Sequence, residues 1–136
     1  MKTNIKNLAA FLATAIWADG EYDEAEKVAL SEIAEALEVN EVELVAETEA
    51  AQAELDKMYE EEVFQYLINN GAEVDEDEAA QVYLAAMQIV TVDGVLGVEE
   101  VDNLLAIASA LGLDDSYAML LLIDLVKEEP ELELKF

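Results

Sequence analysis

The sequence predicts an all-α protein, a single-domain bundle of about seven helices built from two pseudo-symmetric helix–(Asp-Gly)–helix repeats. Three observations predict it. Apolar residues recur at i, i+3, i+4 and i+7, as at Leu30, Ile33, Ala34 and Leu37, which is one face of a helix and not of a strand. A shift of 74 positions lays Asp19-Gly20 over Asp93-Gly94, Glu26 over Glu100, and that apolar face over Leu104, Ile107, Ala108 and Leu111. No run of alternating β-branched residues is long enough for a strand.

Helices are expected near 3–18, 24–38, 41–52, 54–69, 76–92, 98–111 and 115–128. Asp23 with Glu26, Asn40 with Glu43, and Asp75 with Glu78 have the capping-box form, in which two side chains satisfy orphaned backbone donors. Gly20, Gly94 and Gly112 sit where helices close in a left-handed residue, Asn69-Asn70-Gly71 marks another stop, and Pro130 follows the last helix. The helix near 115–128 is apolar nearly all round, from Tyr117 through Leu120 to Val126, which predicts a central position. An exposed flank there would instead imply a homodimer or a protein partner. The first repeat covers about 4–70 and the second about 76–128; the tail, 129–136, has no assigned structure.

Lys2 and Lys6 ahead of the apolar run Leu8–Ala18 have the look of a secretory signal. The matching run Val82–Val92 lies deep in the chain and ends in the same Asp-Gly, so both read as mature helices. Ala118–Val126 contains Asp124 and falls far short of the ~20 residues that span a bilayer. A cytoplasmic protein without membrane insertion is expected.

Charge excludes whole classes of function. The 136 residues include 33 acids, six lysines, no arginine, no histidine and no cysteine, for a net charge of −27, yet 54% are hydrophobic, enough for a core. Without His or Cys there is no ordinary general base, thiolate nucleophile or zinc-thiolate site. So acidic a surface does not bind nucleic acid, and it is repelled by anionic lipid. Between Glu21 and Glu62, 16 acids face only Lys27 and Lys57. That wall is either a solvated face or a surface for a cationic partner. Glycosidase-like acid/base chemistry requires a deep cleft with aromatic platforms, and the one tryptophan, Trp17, falls on a helix expected to be buried. The expectation is therefore no enzyme.

Asp-Gly followed by Glu at EF-hand spacing raises calcium binding, but the first and third ligand places hold Ala15 and Trp17 in one copy and Ile89 and Thr91 in the other. The EF-hand is excluded. Asp19 and Asp93 have a local role available, bonding turn backbone beside a glycine, and Glu26 and Glu100 have one at the third position of a helix. If the repeats pack about a pseudo-twofold axis, the four carboxylates could converge on one site, where mutual repulsion calls for a metal or a lysine.

The doubled pattern, Ala18-Asp19-Gly20 through Glu26 to Ile33-Ala34-x-x-Leu37 and Val92-Asp93-Gly94 through Glu100 to Ile107-Ala108-x-x-Leu111-Gly112-Leu113, resembles the TerB-like domains of tellurite-resistance and stress-associated proteins, related to the amino-terminal domain of membrane-anchored DnaJ-like co-chaperones. The resemblance implies a non-enzymatic helical binding or scaffold module of a stress-response system. It also implies a divalent-cation site, calcium or magnesium, formed by Asp19, Glu26, Asp93 and Glu100. The chain departs from the pattern at Thr91-Val92, at the acid-free turn Val95–Val98 and at Glu38, where glycine usually closes the helix. The alternative reading is an acidic adaptor, a nucleic-acid mimic that presents carboxylates to a basic protein and needs no metal. A partner protein is implied in either case, and tellurite itself, an oxyanion, would be repelled.

Overall fold

The computed structural model describes residues 1–20 and 22–135, with Asp19 described by its backbone alone. Among the described residues there are seven α-helices: α1 (Ile5–Asp19), α2 (Glu24–Leu37), α3 (Glu41–Leu55), α4 (Glu60–Gly71), α5 (Ala79–Val90), α6 (Val98–Ala110) and α7 (Asp115–Glu128). A single 3-10 turn, Glu76–Glu78, leads into α5. The all-α bundle follows as predicted.

The core is organised around α1. Every residue from Leu8 to Ile16 is buried, and alanines at 9, 10, 13 and 15 leave room for neighbours on several sides. Helices α3, α4, α5 and α6 all pack against it. Thr14 is accommodated in this apolar setting because its hydroxyl donates to the Ala10 carbonyl at 2.8 Å. The central position expected for the last helix thus belongs to α1. Only Ala118 and Leu122 of α7 are buried, and α7 packs chiefly on α6. Large side chains all round one helix cannot all be covered by a bundle of this size, whereas the small side chains of α1 admit close neighbours.

The junction between α3 and α4 differs from the sequence-based expectation. Helix α3 runs on to Leu55, because Leu44, Thr48, Ala51 and Leu55 form one continuous buried face. Helix α4 begins only at Glu60, after the turn through Lys57 and Met58. Gly71 is less a stop signal than a point of close approach: a Cβ there would collide with the Ala110 carbonyl oxygen at the end of α6. The capping boxes also divide. Asp23 and Glu26 form the full reciprocal pair, and Asn40 accepts from the Glu43 N–H at 2.9 Å. Glu78, however, turns away from Asp75 to accept from the Lys2 and Thr3 N–H groups, at 2.8 and 2.7 Å, and from the Thr3 hydroxyl at 2.6 Å. Three donors outcompete one.

A strand pair appears where none was expected. Val95–Gly97 (β1) pairs in parallel with Glu133–Lys135 (β2), with Leu96 opposite Leu134, so part of the tail is fastened beside the second Asp-Gly turn. No helix among the described residues is long and apolar enough to cross a membrane.

Candidate functional site

Helix α1 ends as the sequence requires, with Gly20 at φ 79° donating its N–H to the Ile16 carbonyl at 2.9 Å. Asp23 caps α2 by accepting from Ala25 N–H at 3.0 Å. Glu26 reaches back to the Asp23 N–H at 3.4 Å and is 1% exposed. A side-chain hydrogen bond with Glu26, opposed by desolvation and helped by backbone donors, holds the Asp23 carboxyl below the usual range.

The second turn is built similarly. Gly94, at φ 80°, donates to the Thr91 carbonyl at 2.9 Å, and Asp93 accepts from Val95 N–H at 3.0 Å. Glu100 accepts from the Gly97 N–H at 3.1 Å; glycine has no side chain to complete the box. Thus Glu26, Asp93 and Glu100 each take the local backbone bond that their positions predict. The Asp19 carboxylate, the fourth member of the expected cluster, lies outside the described residues. Among the described residues no group of three or more acidic side chains is placed to hold a metal ion.

Two concavities open to solvent lie near these turns, the larger reaching Gly94 of the second. One, of about 460 Å³, lies between α1, α4 and α6, with Trp17 and Phe64 on its walls and Glu60, Glu99 and Asp102 at its rim. The amide nitrogen of Asn103, which also lines it, is buried without an acceptor among the described residues. The larger, about 750 Å³, lies between α5, α7 and the tail. Its floor includes Leu84, Leu121 and Leu125, and its edges carry Glu32, Asp124 and Glu128. Leu84 is 46% exposed on a helix whose other large apolar side chains are buried. Beyond it, α7 leaves Tyr117, Leu120 and Ile123 exposed.

Sequence reasoning missed both concavities, because their walls come from segments tens of residues apart. The one legible signal was the apolar circumference of α7, one flank of which is exposed. Outside both concavities, Glu78, like Asp23, is displaced downward: burial would raise it, but the Thr3 and Lys2 donors prevail.

The family model for TerB, tellurite resistance protein TerB, matches residues 6–121. The chain belongs to the TerB family. The match runs from the first turn of α1 to the middle of α7, and so takes in both Asp-Gly turns and all the lining of the smaller concavity, while the larger one is completed by residues from Asp124 to Leu132 beyond it. No curated protein and no solved structure matches the chain. The TerB assignment therefore rests on this family match.

Proposed function

We propose that this TerB-family chain is a non-catalytic binding module, one domain spanning both repeats, whose partner is a protein with a cationic surface. The observation that carries the reading is the scarcity of internal neutralisation. Among the described residues one ion pair occurs, Lys27 with Glu24 at 3.8 Å, in a chain of net charge −27. Charge of that density raises the local concentration of a basic partner and speeds its encounter. A role in a stress-response system, as the family's tellurite-resistance description suggests, is then exercised through a protein, because an oxyanion would be repelled by the same field.

The test is a fluorescence-anisotropy titration with labelled lysine and glutamate homopeptides of about 18 residues. The reading expects saturable, stoichiometric binding of the lysine peptide at about 150 mM salt, weakening as salt rises, and none of the glutamate peptide. Lysine-peptide binding that never saturates, or that vanishes at that ionic strength, defeats it.

A second reading, a divalent cation held by Asp19, Glu26, Asp93 and Glu100, is favoured by one specific parallel. Glu26 and Glu100 each accept the backbone N–H three residues before them, just beyond glycines of nearly equal φ. A carboxylate buried like Glu26 is also stabilised by any cation nearby. Calorimetry with calcium, magnesium and manganese on the native chain and on a Glu26→Gln, Glu100→Gln double variant decides it: a stoichiometric signal lost in the variant supports the site, and weak binding indifferent to the variant removes it.

A further inference from the structure

We infer that the groove between α5, α7 and the tail seats one helix of the partner, an amphipathic segment with an apolar face and lysine or arginine along both flanks. The inference rests on the reading of a cationic partner and names where and how that partner is held.

The groove has the dimensions of a short helical segment. Its wall on α5 runs from Leu84 to the end of the helix at Val90, about 9 Å at 1.5 Å per residue, and continues through Thr91 and Val92, while its wall on α7 runs from Leu121 to Glu128, about 10 Å. Two turns of a docked helix occupy about that length. Its volume, about 750 Å³, is open to solvent rather than enclosed, which suits an elongated occupant better than a small molecule.

Chemistry then selects the occupant. Leu84, Leu121 and Leu125 offer apolar contact to residues spaced i, i+3 or i+4, and i+7 on one face of a helix. Carboxylates stand on either side of this floor: Glu32 from α2 on one, Asp124 and Glu128 from α7 on the other. Glu32 is held in position by the Gln88 side-chain amide, which donates to it at 2.9 Å. An occupant whose flanks are neutral would gain only the apolar term, and one with acidic flanks would be repelled. A second copy of this chain is disfavoured for the same reason, because its own α7 carries Asp124 and Glu128. Lysine or arginine on both flanks matches both walls.

The experiment uses the full chain and three labelled helical probes of about 18 residues: leucine and lysine with the leucines on one face, a lysine homopeptide, and the same amphipathic pattern with glutamate in place of lysine. The amphipathic basic peptide is expected to bind at least about tenfold more tightly than the lysine homopeptide, which is about 1.4 kcal/mol. Amide shifts should concentrate on α5 and α7. Leu84→Ser, at an exposed position that leaves the core intact, should remove most of the tenfold gap while Tm and circular dichroism stay near native. Phe64→Ser, in the other concavity, should leave the gap unchanged.

Equal affinity for the two basic peptides, a gap indifferent to Leu84→Ser, or shifts centred on α3 and α4 would overturn the groove while leaving a cationic partner in place. If neither basic peptide binds, the broader reading fails and the groove with it.

Discussion

Replacing Gly71 with alanine tests the closest approach in the bundle. Gly71 ends α4 with an ordinary negative φ, so the usual reason for glycine at a helix terminus is missing there. An added Cβ would overlap the Ala110 carbonyl oxygen and lie 2.8 Å from its carbon, with Phe11 Cζ at 3.5 Å. Carbonyl and helix backbone cannot rotate away as a side chain could. The ends of α4 and α6 must therefore separate, at the upper end of the ~1–3 kcal/mol that overpacking costs. Against this stands a gain of up to ~1 kcal/mol from exchanging glycine for alanine in a helix. The net expectation is a loss of about 2 kcal/mol, or about 8 °C in Tm at roughly 4 °C per kcal/mol for a chain of this size. Calorimetric and circular-dichroism melts measure it, with Gly20→Ala as a control. That site has nothing within 4 Å but a φ of 79°, so it should lose only ~1 kcal/mol, from backbone strain. A Gly71→Ala variant as stable as the native chain, or more so, would refute the close approach of α4 to α6.

Other outcomes can be checked on the same preparations. Glu38 closes α2 at φ 57°, a left-handed conformation that costs a side chain ~1 kcal/mol, so Glu38→Gly should raise Tm by about 2 °C after its greater chain entropy is counted. Burial, together with the hydrogen bond that Tyr22 donates to Glu49 at 3.0 Å, pushes the Tyr22 phenol up to about 12. Phenolate absorbance should therefore show Tyr22 ionising late, and Glu49→Gln should bring that step back toward pH 10. Glu78, whose folded pKa is lowered, contributes stability that is fully present above its unfolded value and is lost as pH falls through the folded one. Glu78→Gln should thus lower Tm at pH 7, and the gap from native should close progressively below about pH 4.

What the sequence made legible was whatever is decided within one or two helical turns. The i, i+3, i+4, i+7 faces of α2 and α6, the Asp23–Glu26 box and the positive φ of Gly20, Gly94 and Gly112 are local matters of period, hydrogen bonding and sterics. The backbone bonds of Glu26, Asp93 and Glu100 were legible for the same reason. Competition between distant groups was not legible. Glu78 could cap its own helix or serve Thr3, 75 residues away, and only packing of the amino terminus decides that contest. The three-residue pairing of β1 with the tail carries no period of its own. Nor does composition reveal that alanine, not leucine, marks the helix against which four others pack; the larger side chains of α7 were better evidence of an exposed face than of the centre.

That exposed face bears on whether copies of the chain associate with one another. Tyr117, Leu120 and Ile123 favour association by burying apolar area, while two bodies of charge −27 oppose it. The two terms respond differently to salt. Repulsion reaches about 30 Å at 0.01 M and about 3 Å at 1 M, whereas apolar burial survives screening. Self-association should therefore strengthen as salt rises, and binding of a basic amphipathic peptide should weaken over the same range, although both use α7. Sedimentation velocity should find a monomer at about 0.01 M salt, with any dimer appearing only toward 1 M. A dimer equally populated at both ends of that range would mean that its interface excludes the carboxylates beside α7, and the electrostatic choice of a basic partner over a second copy would lose its basis.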